Sequence, residues 1–321
     1  MRLVVAIGGN ALLARGEIPS ASLQRSHVAI AALSLGPLAR DHQLVITHGN
    51  GPQVGLLATE SQLDPVLAVP YPLDIIGAQT QGMIGYLLLQ ALSNVMGDRM
   101  VVNLVTQTEV AASDPAFELP TKPIGRVLTK QEASQLAASL DWTVRPDGQA
   151  WRRVVPSPRP LRVIELESIR NLLEVGAVVV CAGGGGIPVL IDANGTTSGA
   201  EAVIDKDETA AMLARELGAD ALVILTDVEN VQLEFGLPGA RAIGRTTPSA
   251  LRSVSFASGS MGPKVDAACR FVELTGKPAM IGALGDVQGL LDRSCGTIIE
   301  PDPGHVPKLH PISPSAEEAP L

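Results

Sequence analysis

The chain has 321 residues, 46% of them hydrophobic but only 2% aromatic, with 32 glycines and a net charge of −9. That length fits two domains or one large α/β domain, and the glycine-rich Ala/Val/Leu/Ile palette suits buried parallel strands under closely packed helices. The acidic balance speaks against a nucleic-acid partner, while the three scattered cysteines, Cys181, Cys269 and Cys295, show neither a zinc spacing nor a disulfide framework and read as a reduced, cytoplasmic setting.

The N-terminal "MRLVVAIGGN" has too short an apolar run for a signal peptide and reads as a first strand, "RLVVAI" at 2–7. A helical pattern near 20–40 leads to a strand "QLVIT" (43–47), helices near 52–63 and 73–97, and a strand "MVVNLV" (100–105). Farther on come a helix near 166–175, a strand "AVVVCA" (177–182), a helix at 207–218 and a strand "ALVILT" (221–226). A helix at 263–275 and a strand "PAMIGA" (278–283) complete the series. The strands are continuously apolar rather than alternating, as a sheet covered on both faces requires. The βα alternation predicts an α/β fold with a mostly parallel central sheet between helix layers. The most apolar later stretch, "VGAVVVCAGGGGIPVLI", carries five glycines and a proline and falls short of a membrane span.

Two regions break the rhythm. Residues 113–160 hold seven of the 24 prolines, both tryptophans and the basic "WRRVVPSPRP". No clean strand–helix unit fits there, so the segment reads as an excursion from the sheet, either a small subdomain or lid, or merely a long surface loop. The Pro-rich, polar tail 301–321 reads as flexible. No internal repeat is present.

Three strands run into glycine turns: "AIGGNA" (6–11), "THGNGP" (47–52) and "CAGGGGIP" (181–188). Ligands of open α/β sheets bind beyond the carboxyl ends of the strands, where glycine lets backbone N–H groups approach an anion. Glycine also serves strand-to-helix turns that need positive φ, and any single turn admits that explanation. Two lysines pose a sharper question. Lys206, in "VIDKD", follows Asp205, which with Glu208 forms a capping-box pattern for the next helix. Lys264, in "GSMGPK", follows Pro263, a residue suited to the first helical position. A cation in a helix's first turn faces the positive end of the macrodipole. Each lysine alone is open to a solvated reading; two of them near strand ends favour a shared polyanion, with Asp207 beside Lys206 to orient it.

No G-x-x-x-x-G-K-[ST] loop occurs, "GGGGIP" fails the dinucleotide fingerprint at Pro188, and neither H-E-x-x-H nor G-x-S-x-G is found. The five histidines show no metal spacing, and His48 before a glycine reads as a packed turn residue. "NGT" (194–196) matches a glycosylation sequon by chance. Phosphoryl transfer fits what remains, because it needs in-line positioning and neutralisation of the equatorial oxygens rather than covalent chemistry from the protein. Lysines at helix starts, glycine-turn N–H groups and Mg²⁺ supply that together.

The strings "AIGGNALL", "VITHGNGPQVGLLA", "YPLDIIGAQTQGMIGYLL", "PTKPIG", "WRRVVPSPRP", "AGGGGIPV", "EAVIDKD", "LTDVENV" and "GSMGPKVDAACRFVE" together resemble the carbamate kinases of the amino acid kinase family. The likeness runs from the first strand to about residue 300. It implies an open αβα sandwich over 1–300, with a small lid subdomain at 113–160 protruding from it and a homodimeric assembly. It also implies carbamate on the N-terminal half, Mg²⁺ with ATP or ADP on the C-terminal half, and the reaction ATP + carbamate ⇌ ADP + carbamoyl phosphate. The resemblance further implies a place in arginine metabolism, where fermentation draws ATP from carbamoyl phosphate. By similarity, Gly8, Gly9 and Asn10, with Gly49, Asn50 and Gly51, surround the carbamate. Lys206 and Lys264 neutralise the phosphoryl group, Asp207 organises both, Asp205 supports the cluster, and Lys122 swings in on the lid. Thr226, Asp227 and Val228, with Ser260, Met261 and Lys264, line the nucleotide site. No protein metal ligand is implied, Mg²⁺ being held through the nucleotide phosphates, and neither nucleic acid nor membrane is a partner.

Two departures from the family pattern stand out. Arg126-Val127 replaces Pro-Phe after "KPIG", at the lid hinge, and Gln232 replaces the usual tyrosine in "VQLEFG", which bears on adenine packing. Other readings are a member of the same family acting on a larger carboxylate or phosphonate, and a non-catalytic nucleotide-binding sensor. A dinucleotide-dependent dehydrogenase lacks its fingerprint.

Overall fold

The computed structural model describes residues 1–9, 17, 20–257 and 259–305. The chain begins with β1 (Arg2–Ile7), α1 (Ala21–Asp41), β2 (Gln43–His48), α2 (Gln53–Leu63) and α3 (Leu73–Met96). Next come β3 (Val101–Asn103), β4 (Gln107–Val110), β5 (Lys122–Leu128), α4 (Lys130–Leu140), β6 (Val144–Asp147), β7 (Ala150–Val155) and β8 (Pro160–Val163). The second half opens with α5 (Leu166–Glu174), β9 (Val178–Val180), β10 (Ile187–Ile191), β11 (Thr197–Gly199), α6 (Lys206–Glu216) and β12 (Ala221–Thr226). After β13 (Gln232–Leu233), β14 (Arg241–Ala242) and β15 (Arg245–Thr246) come α7 (Pro248–Arg252) and α8 (Met261–Thr275). The chain then forms β16 (Ala279–Ala283), α9 (Val287–Leu291) and β17 (Thr297–Ile299).

Among the described residues, eight strands form the central sheet in the order β15-β17-β16-β12-β1-β2-β9-β3. Its pairings are parallel except that of β16 with β17. Both faces are covered, which is why the strands read as unbroken apolar runs. Leu3, Val5 and Ile7 of β1 pack with α1, α3 and α9. Val4 and Ala6 face the other way, toward α5, α6 and α8. The result is an α/β fold in three layers, helices on a mostly parallel sheet on helices, with open edges at β15 and β3.

Residues 113–160 correct one part of the sequence reading, that no strand–helix unit fits there: β5, β7 and β6 form an antiparallel sheet joined to α4. The helix carries a capping box, Glu132 N–H to Thr129 Oγ1 at 3.2 Å and Thr129 N–H back to Glu132 Oε2 at 2.7 Å. That signal stands in the sequence as T-K-Q-E. The strands are harder to see, since β5 is mostly half-buried or exposed and finds its partner about 25 residues on. The unit sits on α2, where Gly55 meets Gly125 so closely that a Cβ on Gly55 would collide with the Gly125 backbone. A further sheet, β11-β10-β4-β8, was not read from sequence. Most of the 301–321 tail lies outside the described residues; at its start Asp302 accepts from Ser249 N–H and Oγ–H.

Candidate active site

Parallel pairing puts the carboxyl ends of β1, β2, β9 and β12 at one end of the sheet, and helices returning antiparallel present their N-termini there. The glycine turns therefore meet. Gly8 N–H donates to Leu225 O at 2.9 Å, and Gly49 N–H to Ile7 O at 3.0 Å. A Cβ on Gly49 would lie 2.9 Å from Gly9 N and 3.3 Å from Lys206 Cδ, and one on Gly9 would lie 3.2 Å from Gly51 Cα. No side chain fits between these turns and the stem of Lys206. Asn50 lies over Gly184, where a Cβ would strike its amide, and Gly51, at φ 56°, is in the left-handed region that glycine tolerates. Gly185 O accepts from Thr108 Oγ1 and Thr209 Oγ1, each at 2.9 Å, which ties the third glycine turn to α6. Asn10 lies outside the described residues.

The two lysines converge. Lys206 Nζ donates to one carboxylate oxygen of Asp207, and Lys264 Nζ donates to the other at 3.0 Å. Asp207 is 4% exposed, and burial alone would raise its pKa, yet the flanking ammonium groups hold it below the usual carboxylate range. Burial lowers Lys206 to about 8, against the pull of Asp207. Lys264 goes the other way, because Asp207 outweighs the effect of burial and raises it. The arrangement is a fixed positive pair behind one buried carboxylate. Lys206 is the first residue of α6, whereas α8 starts at Met261, so Pro263 is its third residue and not its first. The proline still costs little, since the first N–H groups of a helix have no intrahelical partner.

Asp205 works on two sides. Its Oδ1 caps α6, accepting from Asp207 N–H at 2.9 Å and Glu208 N–H at 3.3 Å. Its Oδ2 accepts from Lys122 Nζ at 2.5 Å, which brings β5 of the protruding unit onto the start of α6. Burial would raise the Asp205 carboxyl, but Lys122 and Lys206 hold it well below the carboxylate range. A cavity of about 580 Å³, lined in part by Thr121, Arg159, Asp205 and Glu208, lies where the unit meets α6.

Thr226 and Asp227 continue from β12, with Thr226 Oγ1 donating to Asp227 Oδ1 at 3.0 Å, and Val228 follows. A Cβ on Gly8 would lie 3.7 Å from Thr226 Cα, so this stretch adjoins the first glycine turn. Ser260 and Met261 open α8, one turn before Lys264, on the same end of the sheet. His48 is buried and lowered to about 4 by that burial; its Nδ1–H donates to Gly49 O at 3.0 Å, so it supports the turn as a neutral ring. Sequence reasoning missed Gln53, the first residue of α2, which is 5% exposed and folded over Gly51. Its only sequence signal is a polar residue directly after a glycine turn.

A second cavity, of about 500 Å³, lies at the opposite end of the sheet among Arg2, Arg40 and Arg99. Two of these arginines serve backbone carbonyls: Arg2 binds Leu217 O, and Arg99 binds His42 O at 2.9 Å and Gly176 O at 3.2 Å. The strand carboxyl ends, not this basic hollow, carry the lysine–aspartate chemistry.

The amino acid kinase family profile matches residues 1–283. The carbamate kinase of Rhizobium meliloti (strain 1021) is 50% identical over 303 residues, covering 93% of each chain. The carbamate kinase from Giardia lamblia bound to citric acid superposes with a TM-score of 0.88 at 40% identity, over 94% of this chain and 98% of that one. The same enzyme bound to AMP-PNP gives 0.85 at 41% identity, with the same coverage. The chain belongs to the amino acid kinase family, in its carbamate kinase branch.

Proposed function

We propose that the chain is a carbamate kinase, transferring a phosphoryl group reversibly between ATP and carbamate. The observation that carries this reading is Asp207 holding Lys206 and Lys264 together beside two touching glycine turns, in a chain about half identical to a carbamate kinase. A carboxylate oxygen of carbamate attacks the γ-phosphorus, forming a new O–P bond. The bond from that phosphorus to the bridging oxygen breaks, and its electron pair leaves with ADP. The nucleophile carries no proton, so no general base is required, which suits an Asp207 kept ionised. Lys206 and Lys264 would meet the charge on the transferring group. Gly9 and Gly51 would offer backbone donors to carbamate, with Asn10 and Asn50 beside them, while Gly8 and Gly49, whose N–H groups are used within the fold, would give it room. Thr226, Asp227, Val228, Ser260 and Met261 would line the nucleotide site, by analogy with the AMP-PNP-bound enzyme.

No group of three or more acidic, His or Cys side chains suited to a metal is present among the described residues, and Asp205 and Asp207 are engaged by lysines. With these carboxylates committed to lysines, Mg²⁺ would be carried on the nucleotide phosphates, where it would supply charge neutralisation. We read the 113–160 unit as the lid, with Lys122 delivered by β5. We also propose a homodimer, supported by exposed apolar side chains on the adjoining helices α1 and α3: Ile30, Leu33, Ile75, Met83 and Tyr86. No described helix is long and apolar enough to cross a membrane. A cytoplasmic setting and a place in arginine metabolism complete the reading, the first supported by the unpaired Cys181, Cys269 and Cys295.

The deciding experiment couples ATP formation from ADP and carbamoyl phosphate to a spectroscopic readout. Sustained ATP production is expected. Failure with carbamoyl phosphate, alongside activity on a larger acyl phosphate, would overturn the substrate assignment; ATP binding without any transfer would make the chain a sensor.

A further inference from the structure

We propose that Gln53, together with Asn50, recognises the amino group of carbamate, and that Gln53 sets the preference for carbamate over acids of similar size that lack an N–H donor. The inference rests on the carbamate kinase reading above and names what that site selects.

Asn50 Oδ1 and Gln53 Oε1 are both sealed from solvent, and among the described residues neither has a hydrogen-bond partner. Such an oxygen is costly when left unpaired, and folded proteins keep few of them. Here there are two, in side chains on either side of Gly51 in sequence. The Asn50 amide lies against Gly184, and the Gln53 amide lies against Gly51, where a Cβ would strike Oε1. Gly51 in turn packs on Gly9, and Gly9 on Gly49, which touches the stem of Lys206. Gln53 does not cap a helix or bridge to another element; its backbone starts α2, and the cap position before it is Pro52, which has no side-chain cap bond.

Apart from Asp205 and Asp207, whose carboxylates are taken up by the lysines and the start of α6, the rest of the site is made of donors. Lys206, Lys264, Lys122 and the N–H groups of Gly9 and Gly51 suit carboxylate and phosphate oxygens and offer nothing to an N–H. Carbamate has two oxygens at one end and an NH₂ with two hydrogens at the other. Two acceptor oxygens beside the glycine turns would complement that NH₂. Both are closed to solvent in this structure, so the turns around them have to part by the width of an N–H group to admit it. Acetate presents a methyl group at the same place and would leave both oxygens unpaired. A site built to hydrogen-bond a donor rejects an analogue without it far more strongly than an apolar pocket rejects a size difference.

The test uses the full-length enzyme in the ATP-forming direction, comparing carbamoyl phosphate with acetyl phosphate, which carries CH₃ in place of NH₂. Wild type should favour carbamoyl phosphate in kcat/KM. Gln53→Met, similar in length but without a strong acceptor, should lower kcat/KM for carbamoyl phosphate about tenfold to a hundredfold. Acetyl phosphate should change by no more than about twofold, so the preference narrows. An equal fall on both substrates would make Gln53 a shaping residue and overturn the proposal, as would an unchanged preference. Gln53→Glu keeps an acceptor oxygen and guards against a variant that misfolds: its preference should persist even if both rates fall, and loss of the preference there also overturns the proposal. A wild-type enzyme inactive on carbamoyl phosphate is a different result, since it removes the parent reading before Gln53 is reached.

Discussion

At the scale of single residues, the site is organised by competition between burial and charge. Lys206 sits at about 8 because burial outweighs Asp207, so kcat/KM should fall as pH rises through about 8 and Lys206 loses its proton. Asp207→Asn withdraws the carboxylate that favours the ammonium form, so the alkaline limb should move below 8; a limb that stays put would show that another group sets it. Lys206→Ala and Lys264→Ala should each lower kcat tenfold or more, about 1.4 kcal/mol of barrier at the least. Steady-state rates at saturating ADP and carbamoyl phosphate check this. The departures from the family pattern also resolve partly at this scale. Arg126 is exposed and pairs with Glu132 at 2.9 Å, within the capping box of α4, so it stays out of the cluster. Gln232 lies in the short β13 ribbon with β14.

Elements transmit these contacts. Asp205 links a helix cap to the protruding unit through its two oxygens, so Asp205→Ala should remove about 0.5–2 kcal/mol of capping stability and lower Tm by a few degrees. Lys122→Ala breaks only the second of those links, between partly exposed groups. Activity should collapse there while Tm and ATP affinity hold; a large fall in Tm would instead give Lys122 a structural role. The Gly55–Gly125 contact is the other anchor of the unit. Gly55→Val would force β5 away from α2, and with it Lys122 from α6, so kcat/KM should drop at least tenfold with far-ultraviolet circular dichroism unchanged.

For the whole molecule, the consequential feature is that β1, β2, β9 and β12 are parallel neighbours in the sheet. Side-by-side strands about 4.8 Å apart bring turns from residues 8, 49, 183 and 226 within reach of one small ligand. The exposed apolar face of α1 and α3 belongs to this scale too. Light scattering should give twice the 33.3 kDa chain mass, and Tyr86→Arg, placing a charge on a residue 49% exposed in α3, should shift it to monomer. A monomeric wild type would remove the dimer from the reading.

The sequence by itself determined the central layers. Unbroken apolar runs at 2–7, 43–47, 177–182 and 221–226 require a sheet buried on both faces, and the helices between them fell within a residue or two of the expected spans. It also determined that Lys206 and Lys264 lie near helix starts, because Asp205 and the glycines before Lys264 are local signals with local causes, although Pro263 marked the start of α8 two residues late. It did not reveal β4, β8, β10 and β11, whose short pairings depend on partners far along the chain, nor the β5-β7-β6 unit. Only the tertiary structure decided that one carboxylate, Asp207, receives both ammonium groups, that Asp205 divides itself between a helix and Lys122 of β5, and that Gln53 turns its oxygen onto Gly51. The reason is physical: caps and apolar periodicity are settled within a few residues, whereas a shared buried charge exists only once strands and helices distant in sequence have been packed against each other.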